Sequence, residues 1–467
     1  MKEQILPYAV PLHEYPGPKP KPIVGNLLDI PSGKLHETFE NWLDQYADPF
    51  QIHLMASPCI VSSDINFINY ALKERPKGFK RSTRLSALMN EIGMNGVFAA
   101  EGEDWERQRK IIADALKPAR IKQFLPQLQS ITKNTVAKME AEKSIDALLW
   151  TQRFTIAVTT ALTFESPSTR SSHNLSESTE ALQTHLRVFF PRVAARMQAI
   201  IPWWRLWKTP GARAIENASH GIRNILAGLL AHGREVVNSN ADESEYSFLE
   251  FLLAAGFSDD VIFANALTML LAGEDTTANT LSWALYYLAQ DQNLQNQLRQ
   301  EAVGVLGSDC DQWTLQLDTI AQLKWHEAVV NEVLRLKSAA PAMIMEANEP
   351  HKIPHEKGTI SIEEGQKIII LTRKAAIGKH SQAKNTFQPH VWVESDSPAV
   401  DPKAFLPFGG GPRFCPGRYL SLVESKVFLA YVLANNKIRL ATNHPEVHEV
   451  SLFTMTPTDI NVIMEPI

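Results

Sequence analysis

Ten residues near the C-terminus, Phe408-Gly-Gly-Gly-Pro-Arg-Phe-Cys415-Pro-Gly417, constrain this chain more than any others. They read as a rigid loop that presents one thiolate to a metal and then runs into a helix. Five fixed positions (Phe408, Gly411, Arg413, Cys415, Gly417) recur by chance in only about 10⁻⁴ to 10⁻³ of chains this long. A thiolate is the ligating form of cysteine, and its charge must be stabilised at neutral pH. Tyr419 to Leu433 reads as a helix with Leu420, Val423, Val427, Leu429 and Val432 as its apolar positions. Cys415 then lies just before the helix N-terminus, where unpaired N–H groups and the helix dipole favour a negative sulfur. Gly411 and Gly417 permit backbone angles and close approaches that a side chain would block. Arg413 is a permanent cation, and Phe408 would shield the sulfur from water. A plainer alternative is a glycine-rich loop around a buried free cysteine. The spacing of glycines and arginine has no packing purpose under that alternative. A zinc site is weaker still, because the other cysteines, Cys59 and Cys310, lie far away without close spacing.

A second constellation sits in Asp260 to Gln290, which reads as one long helix centred on Ala272-Gly-Glu-Asp-Thr-Thr277. Gly273 in mid-helix costs roughly 1 kcal/mol relative to alanine. A groove for a small ligand, with local widening of the helix, is one reason to keep it. Thr276 can bond back to the carbonyl of Ala272, and Asp275 sets an acid beside that alcohol.

From these two segments the chain resembles the cytochrome P450 family, in its haem-binding cysteine loop and in the order Ala-Gly-x-Asp-Thr. The resemblance spans nearly the whole chain. It implies a mainly α fold with small β-sheets, and haem b between a long central helix and the cysteine loop. It implies one domain over 1–467, with 1–75 plus 338–400 as a β-containing lobe and the remainder a helical lobe holding the haem. By the same resemblance Cys415 ligates the iron. Arg413 is suited to a haem propionate, and Asp275 and Thr276 deliver protons to bound dioxygen. Thiolate ligation favours O–O cleavage.

Other motifs extend the likeness. Glu332-Val-Leu-Arg335, in a helical segment 323–337, resembles the family's Glu-x-x-Arg helix, and i,i+3 spacing puts both charges on one face. The family's third partner, an arginine before an aromatic residue, is replaced here by Val391 in Phe387-Gln-Pro-His-Val-Trp392. His390 or His380 are the substitutes the sequence offers. Trp105 and Arg109 lie i,i+4 on a helix opening at Gly102 and match a Trp-x-x-x-Arg pattern that binds a propionate. A further family arginine is absent from Ala342-Met-Ile-Met-Glu346. Anchoring is therefore expected to rest on Trp105, Arg109 and Arg413.

Bulk properties narrow the partners. The chain has 467 residues, 44% hydrophobic, so a large core is available. Its net charge of −5 argues against nucleic acid. Three cysteines give no disulfide framework and fit a reducing compartment. Met1 to Leu12 carries no signal-peptide run, and the longest apolar stretch, Val261 to Gly273, is too short to span a bilayer. The expectation is a soluble, cytoplasmic monomer without a transmembrane anchor. Pro202-Trp-Trp-Arg-Leu-Trp-Lys208 could still touch a membrane surface. Strands are expected over 50–63, with a turn near Ser57-Pro58, and again between 338 and 375. Lys437–Leu440 and Asp459–Met464 are expected to form a last small sheet.

By resemblance, segments 84–98, 184–207 and 339–345 line the substrate pocket. Their apolar residues, among them Leu88, Met89, Phe189, Phe190, Ile200, Ile201 and Met343, suit a hydrophobic small molecule such as a fatty acyl chain, terpenoid or steroid. No GxGxxG fingerprint is present, so electrons are expected from a separate ferredoxin or flavodoxin with its reductase. Arg107, Lys110, Lys122, Lys403 and Arg418 are candidates for its docking patch. The leading expectation is a haem-thiolate monooxygenase using O2. A peroxide-driven enzyme, or a non-enzymatic haem or gas binder, would not need the Asp275-Thr276 pair.

Overall fold

The computed structural model describes residues 14–166, 173–199, 202–205, 207, 209–239, 242–394, 397–451 and 453–467. Met1 to Leu12, Ile200, Ile201, Leu206 and Lys208 lie outside the described residues. In chain order, α1 (Leu35–Gln45) precedes a hairpin of β1 (Phe50–Leu54) and β2 (Ser57–Ser62), then α2 (Ile65–Lys73) and β3 (Phe79–Arg81). A helical run follows through α3 (Thr83–Glu91), α4 (Gly102–Ala115), α5 (Pro118–Glu140), a short β4 (Ile145–Asp146), α6 (Ala147–Phe164) and α7 (His173–Gln198). It continues through α8 (Pro210–Asn238), α9 (Phe248–Ala254), α10 (Asp259–Leu288), α11 (Gln292–Leu306), α12 (Leu317–Ile320) and α13 (Lys324–Leu336). Strands return as β5 (Met343–Ala347), β6 (His351–His355), β7 (Gly358–Ile362) and β8 (Lys367–Ile370). The chain ends with α14 (Thr372–Ile377), α15 (Arg418–Ala434), β9 (Asn436–Leu440), β10 (Glu449–Ser451), β11 (Met455–Pro457) and β12 (Asn461–Pro466). The chain is mainly α with small β-sheets.

Two compact units partition it. The β-rich unit takes the described residues up to Arg84, Glu327–Cys415 and Val447–Thr458. The helical unit takes Leu85–His326, Pro416–Glu446 and Asp459–Ile467.

In the β-rich unit a five-stranded sheet has the order β1-β2-β8-β5-β3. Its centre follows from Lys367-Ile-Ile-Ile370. Successive strand side chains point to opposite faces, and all three isoleucines are buried. Ile368 and Ile370 join one core with Ile60, Phe67 and Phe79. Ile369 joins the other, with Phe39, Phe50 and Val61. The hairpin turn lies at Met55-Ala56, two residues before the expected Ser57-Pro58, and Pro58 sits inside β2 opposite His53. Proline has no N–H to give a ladder. The parallel pairing of β2 with β8 begins only at Cys59, so Pro58 withholds nothing from it.

In the helical unit α6 packs along α10. Thr159 and Thr163 donate their hydroxyls to the carbonyls of Thr155 and Thr159, at 2.7 and 2.6 Å. This satisfies polar atoms in an apolar interface without outside partners. The expected final sheet forms: β12 pairs antiparallel with β9, and β4 joins on its other side.

Candidate active site

The cysteine loop belongs to the β-rich unit. Gly411 has φ +63° and would place a Cβ 2.1 Å from the carbonyl oxygen of Leu72, at the end of α2. Only glycine fits there. Residues 411–413 form a single 3₁₀ turn. The loop then closes on itself, with the Cys415 N–H donating to the Phe408 carbonyl at 2.9 Å. Phe408, Arg413 and Cys415 are half-buried. Cys415 precedes the first residue of α15 by three positions. Gly417, in the helical unit, has φ −81°, an ordinary value, so backbone freedom is not what requires glycine there.

The other two cysteines differ in kind. Cys59 is fully buried in β2, and burial pushes its thiol up to about 12. Burial also raises Cys310. Neither is disposed to ionise near neutrality.

The Glu-x-x-Arg pair is also in this unit, with both side chains at 0% exposure. Arg335 gives Nε and Nη2 to the two Glu332 oxygens at 2.8 Å each. The guanidinium also donates to the carbonyls of Thr386, at 2.9 Å, and Lys384. Glu332 accepts the backbone N–H of Gln388 and the indole Nε1–H of Trp392, both at 2.8 Å. The substitute for the arginine missing at Val391 is therefore Trp392. Among the described residues, the His390 and His380 side chains make no hydrogen bond to this pair. A buried carboxylate needs donors on both oxygens, and an indole N–H reaching over from a 3₁₀ turn at Pro389–Trp392 supplies one. The tryptophan stood in the sequence. Its donor role had no signature because it depends on the fold of 387–392.

The polar turn of α10 lies in the helical unit. Residues 262–271, apart from Met269, and 277–285 are buried, whereas Ala272 is exposed and Gly273 to Thr276 are half-buried. The helix is continuous, and Thr276 donates to the Ala272 carbonyl at 2.8 Å. Gly273 has a packing reason in this unit. A Cβ there would lie 2.6 Å from Thr159 Oγ1 and 2.9 Å from its Cγ2, so the missing side chain is taken up by α6. Asp275 Oδ1 accepts from Gln152 Nε2 of α6 at 3.2 Å. Burial raises the Asp275 carboxyl above the usual range despite that bond. Burial, then the neighbouring Asp275 charge, push Glu274 up to about 8, with Arg187 pulling the other way. The turn thus holds Glu274, a carboxyl that keeps its proton at neutral pH, beside Asp275, whose carboxyl burial raises, and the Thr276 hydroxyl. Thr277 meets Ser421 Oγ of α15 at 3.0 Å. It also bonds Glu424, a residue the sequence did not flag, whose carboxyl burial lifts to about 8. Gln152 and Glu424 carried no local signal, since each reaches this turn from a distant helix.

Trp105 is buried and Arg109 half-buried, one turn apart on α4 in the helical unit. Of the pocket segments, Leu88, Met89, Phe189 and Phe190 are buried in this unit. Met345 is core of the β-rich unit, with Met343 packed against it. Among the described residues no helix is long and apolar enough to cross a membrane.

The donor set suits a haem. The half-buried sulfur sits on a loop fixed by glycine. In the helical unit, the middle of α10 leaves Ala272 exposed beside the half-buried Gly273 to Thr276.

The family model for cytochrome P450 matches residues 15–464. The chain is 26% identical to a self-sufficient cytochrome P450 monooxygenase of Penicillium camemberti, over 90% of this chain and 40% of that protein. It is 25% identical to cytochrome P450 monooxygenase 205 of Postia placenta, over 96% and 90%. It is 24% identical to pluviatolide synthase of Sinopodophyllum hexandrum, over 89% and 84%. The chain thus spans about two fifths of the length of the self-sufficient relatives it matches. With the match running across nearly all its residues, the chain belongs to the cytochrome P450 family.

Proposed function

We propose that the chain is a haem-thiolate monooxygenase that inserts one oxygen atom of O2 into a C–H or C=C bond of a hydrophobic molecule of moderate size. The observation that carries this reading is the state of its cysteines. Cys415 alone combines partial exposure with a glycine-fixed loop, while burial disfavours ionisation of Cys59. Bound haem b would supply the O2-activating chemistry. Cys415 would hold its iron, and Arg413, Trp105 and Arg109 would hold its propionates by charge-assisted and indole N–H donation. Phe408 would keep water from the sulfur.

Protons are the task of α10. A general acid works best with a pKa near the working pH. Burial moves Asp275 in that direction, and Gln152 orients it. Thr276 is anchored on the Ala272 carbonyl, which leaves its oxygen as an acceptor for a passing proton. This intact pair supports the monooxygenase reading over a peroxide-driven one. Electrons come, in this reading, from a ferredoxin, flavodoxin or flavin-bearing donor outside the 467 residues.

The carbon monoxide difference spectrum of the reduced protein tests the assignment. A strongly red-shifted Soret band, lost in Cys415→Ser, is the expected result. A band at the position of histidine- or thiol-ligated haem in the wild type, or no haem at all, would overturn it.

A further inference from the structure

The helical unit carries a cleft of ≈ 280 Å³ whose two arginines, Arg107 and Arg223, have no part in the proposed chemistry. Its walls come from α4 (Asp104, Arg107, Gln108), from Gly93 and Asn95, from Arg223 of α8, and from Phe257 with Val261 and Ala264 at the start of α10. We propose that this cleft, within the helical unit, binds a small organic carboxylate with an apolar body.

Four observations carry the proposal. First, the floor is apolar: Phe257, Val261 and Ala264. Second, the two arginines are in different states. The Arg223 guanidinium lies 3.9 Å from the centre of the Phe263 ring and is bonded to Asp260 at 3.2 Å, so its charge is already answered. Arg107 lies over the Phe257 ring at 4.7 Å and makes no hydrogen bond or ion pair among the described residues. A guanidinium stacked on an aromatic floor keeps its edge N–H groups for a planar carboxylate, and the stacking limits the freedom lost on binding. Third, the amide beside it is fixed. Gln108 is buried, and its Oε1 accepts from Asn265 Nδ2 at 2.9 Å. Asn265 is locked by the Val261 carbonyl at 2.9 Å and the Val97 N–H at 2.8 Å. This leaves the Gln108 amide nitrogen as a donor for the cleft. Fourth, a Cβ on Gly93 would come within 2.8 Å of Arg223 Nη2. Glycine there lets the arginine wall stand against backbone.

The size decides the class. Binding pockets for drug-sized ligands run from about 300 Å³ upward, so this cleft takes a smaller molecule. The apolar floor favours a short-chain or aromatic carboxylate over inorganic phosphate. Asp104 and Asp260 also line the cleft, and their negative charge discriminates further against multiply charged anions.

Titration of the purified protein with hexanoate and with benzoate by isothermal calorimetry tests the site. Arg107→Gln should weaken binding by roughly tenfold or more, the usual consequence of losing a charge-assisted pair. Lys138→Gln removes the same charge from an exposed position on α5 and should leave binding unchanged. Arg107→Lys keeps the charge without the fork and should fall between. Circular dichroism checks that each variant is folded. Absence of saturable binding by both carboxylates, or equal binding by wild type and Arg107→Gln, would sink the proposal. Neither outcome touches the haem assignment, which is read from its own spectrum.

Discussion

At the scale of single residues, Trp392 is the clearest case of chemistry kept while the residue type changes. Glu332 is fully buried, and its four donors are the two nitrogens of Arg335, the Gln388 N–H and the Trp392 indole. Removing one donor from a buried carboxylate leaves a desolvated lone pair, which costs about 1–3 kcal/mol. Trp392→Phe preserves most of the ring that packs on Phe405 at 4.9 Å and deletes the N–H. Its midpoint of urea unfolding should fall by the equivalent of about 1–3 kcal/mol, whereas His390→Phe and His380→Phe should stay within about 0.5 kcal/mol of wild type. A Trp392→Phe protein as stable as the wild type would mean that Glu332 is satisfied without the indole. The sequence pointed to Glu332 and Arg335 through the resemblance to the family's Glu-x-x-Arg helix, since i,i+3 spacing alone fits a common surface ion pair. It could not point to Trp392, because valine at 391 hid the fact that the next side chain turns inward.

At the scale of elements, the approach of α6 to α10 sets the position of the Asp275-Thr276 turn. Gly273 meets Thr159 Oγ1 and Cγ2, and Thr155 donates to the Glu274 carbonyl at 2.9 Å just beyond. A methyl at 273 would have to push the helices apart or force Thr159 off its rotamer, and overpacking of this kind costs about 1–3 kcal/mol. Gly273→Ala should therefore destabilise despite alanine's better helix propensity. Thr159→Ala removes both atoms in the way, so the double variant should recover most of the loss, a coupling visible in a double-mutant cycle of denaturant midpoints. Additive losses would show that Gly273 is kept for some reason other than α6. The bounds of α10 and α15 were legible to within a residue or two, because long apolar periodicity is a local signal. The partner of Gly273 was not, since it requires knowing which helix lies alongside. The turn of the first hairpin was misplaced because Pro58 looks like a breaker until the strand it fails to serve is known.

At the scale of the whole molecule, the path of the chain matters more than any one element. Residues 447–458 return to the β-rich unit after α15 and β9 have been built into the helical unit. Glu449 fastens that return. It accepts from His36 of α1 at 2.8 Å, from Arg373 of α14 at 2.6 Å and from Lys337. Burial alone would raise its carboxyl, but the His36 hydrogen bond and the Arg373 and Lys337 cations reverse this and hold it far below the usual carboxylate range. A carboxylate whose folded pKa is depressed contributes stability that is fully present above its unfolded pKa, roughly 4.3, and is lost as pH falls below it. The β-rich unit should consequently weaken on acidification below about pH 5. Glu449→Gln keeps the shape and deletes the charge, leaving Arg373 and Lys337 facing a neutral amide. Breaking such a partly buried cluster from one side costs on the order of 3 kcal/mol at neutral pH, so the variant should unfold at lower urea at pH 7. The gap to wild type should narrow steadily as pH falls from about 5 toward 3, because the unfolded wild-type chain takes up a proton on Glu449 there, which favours its unfolding, while the variant has no such site. A gap that stays constant over that range would show that the cations, rather than the Glu449 charge, hold residues 447–458 in place.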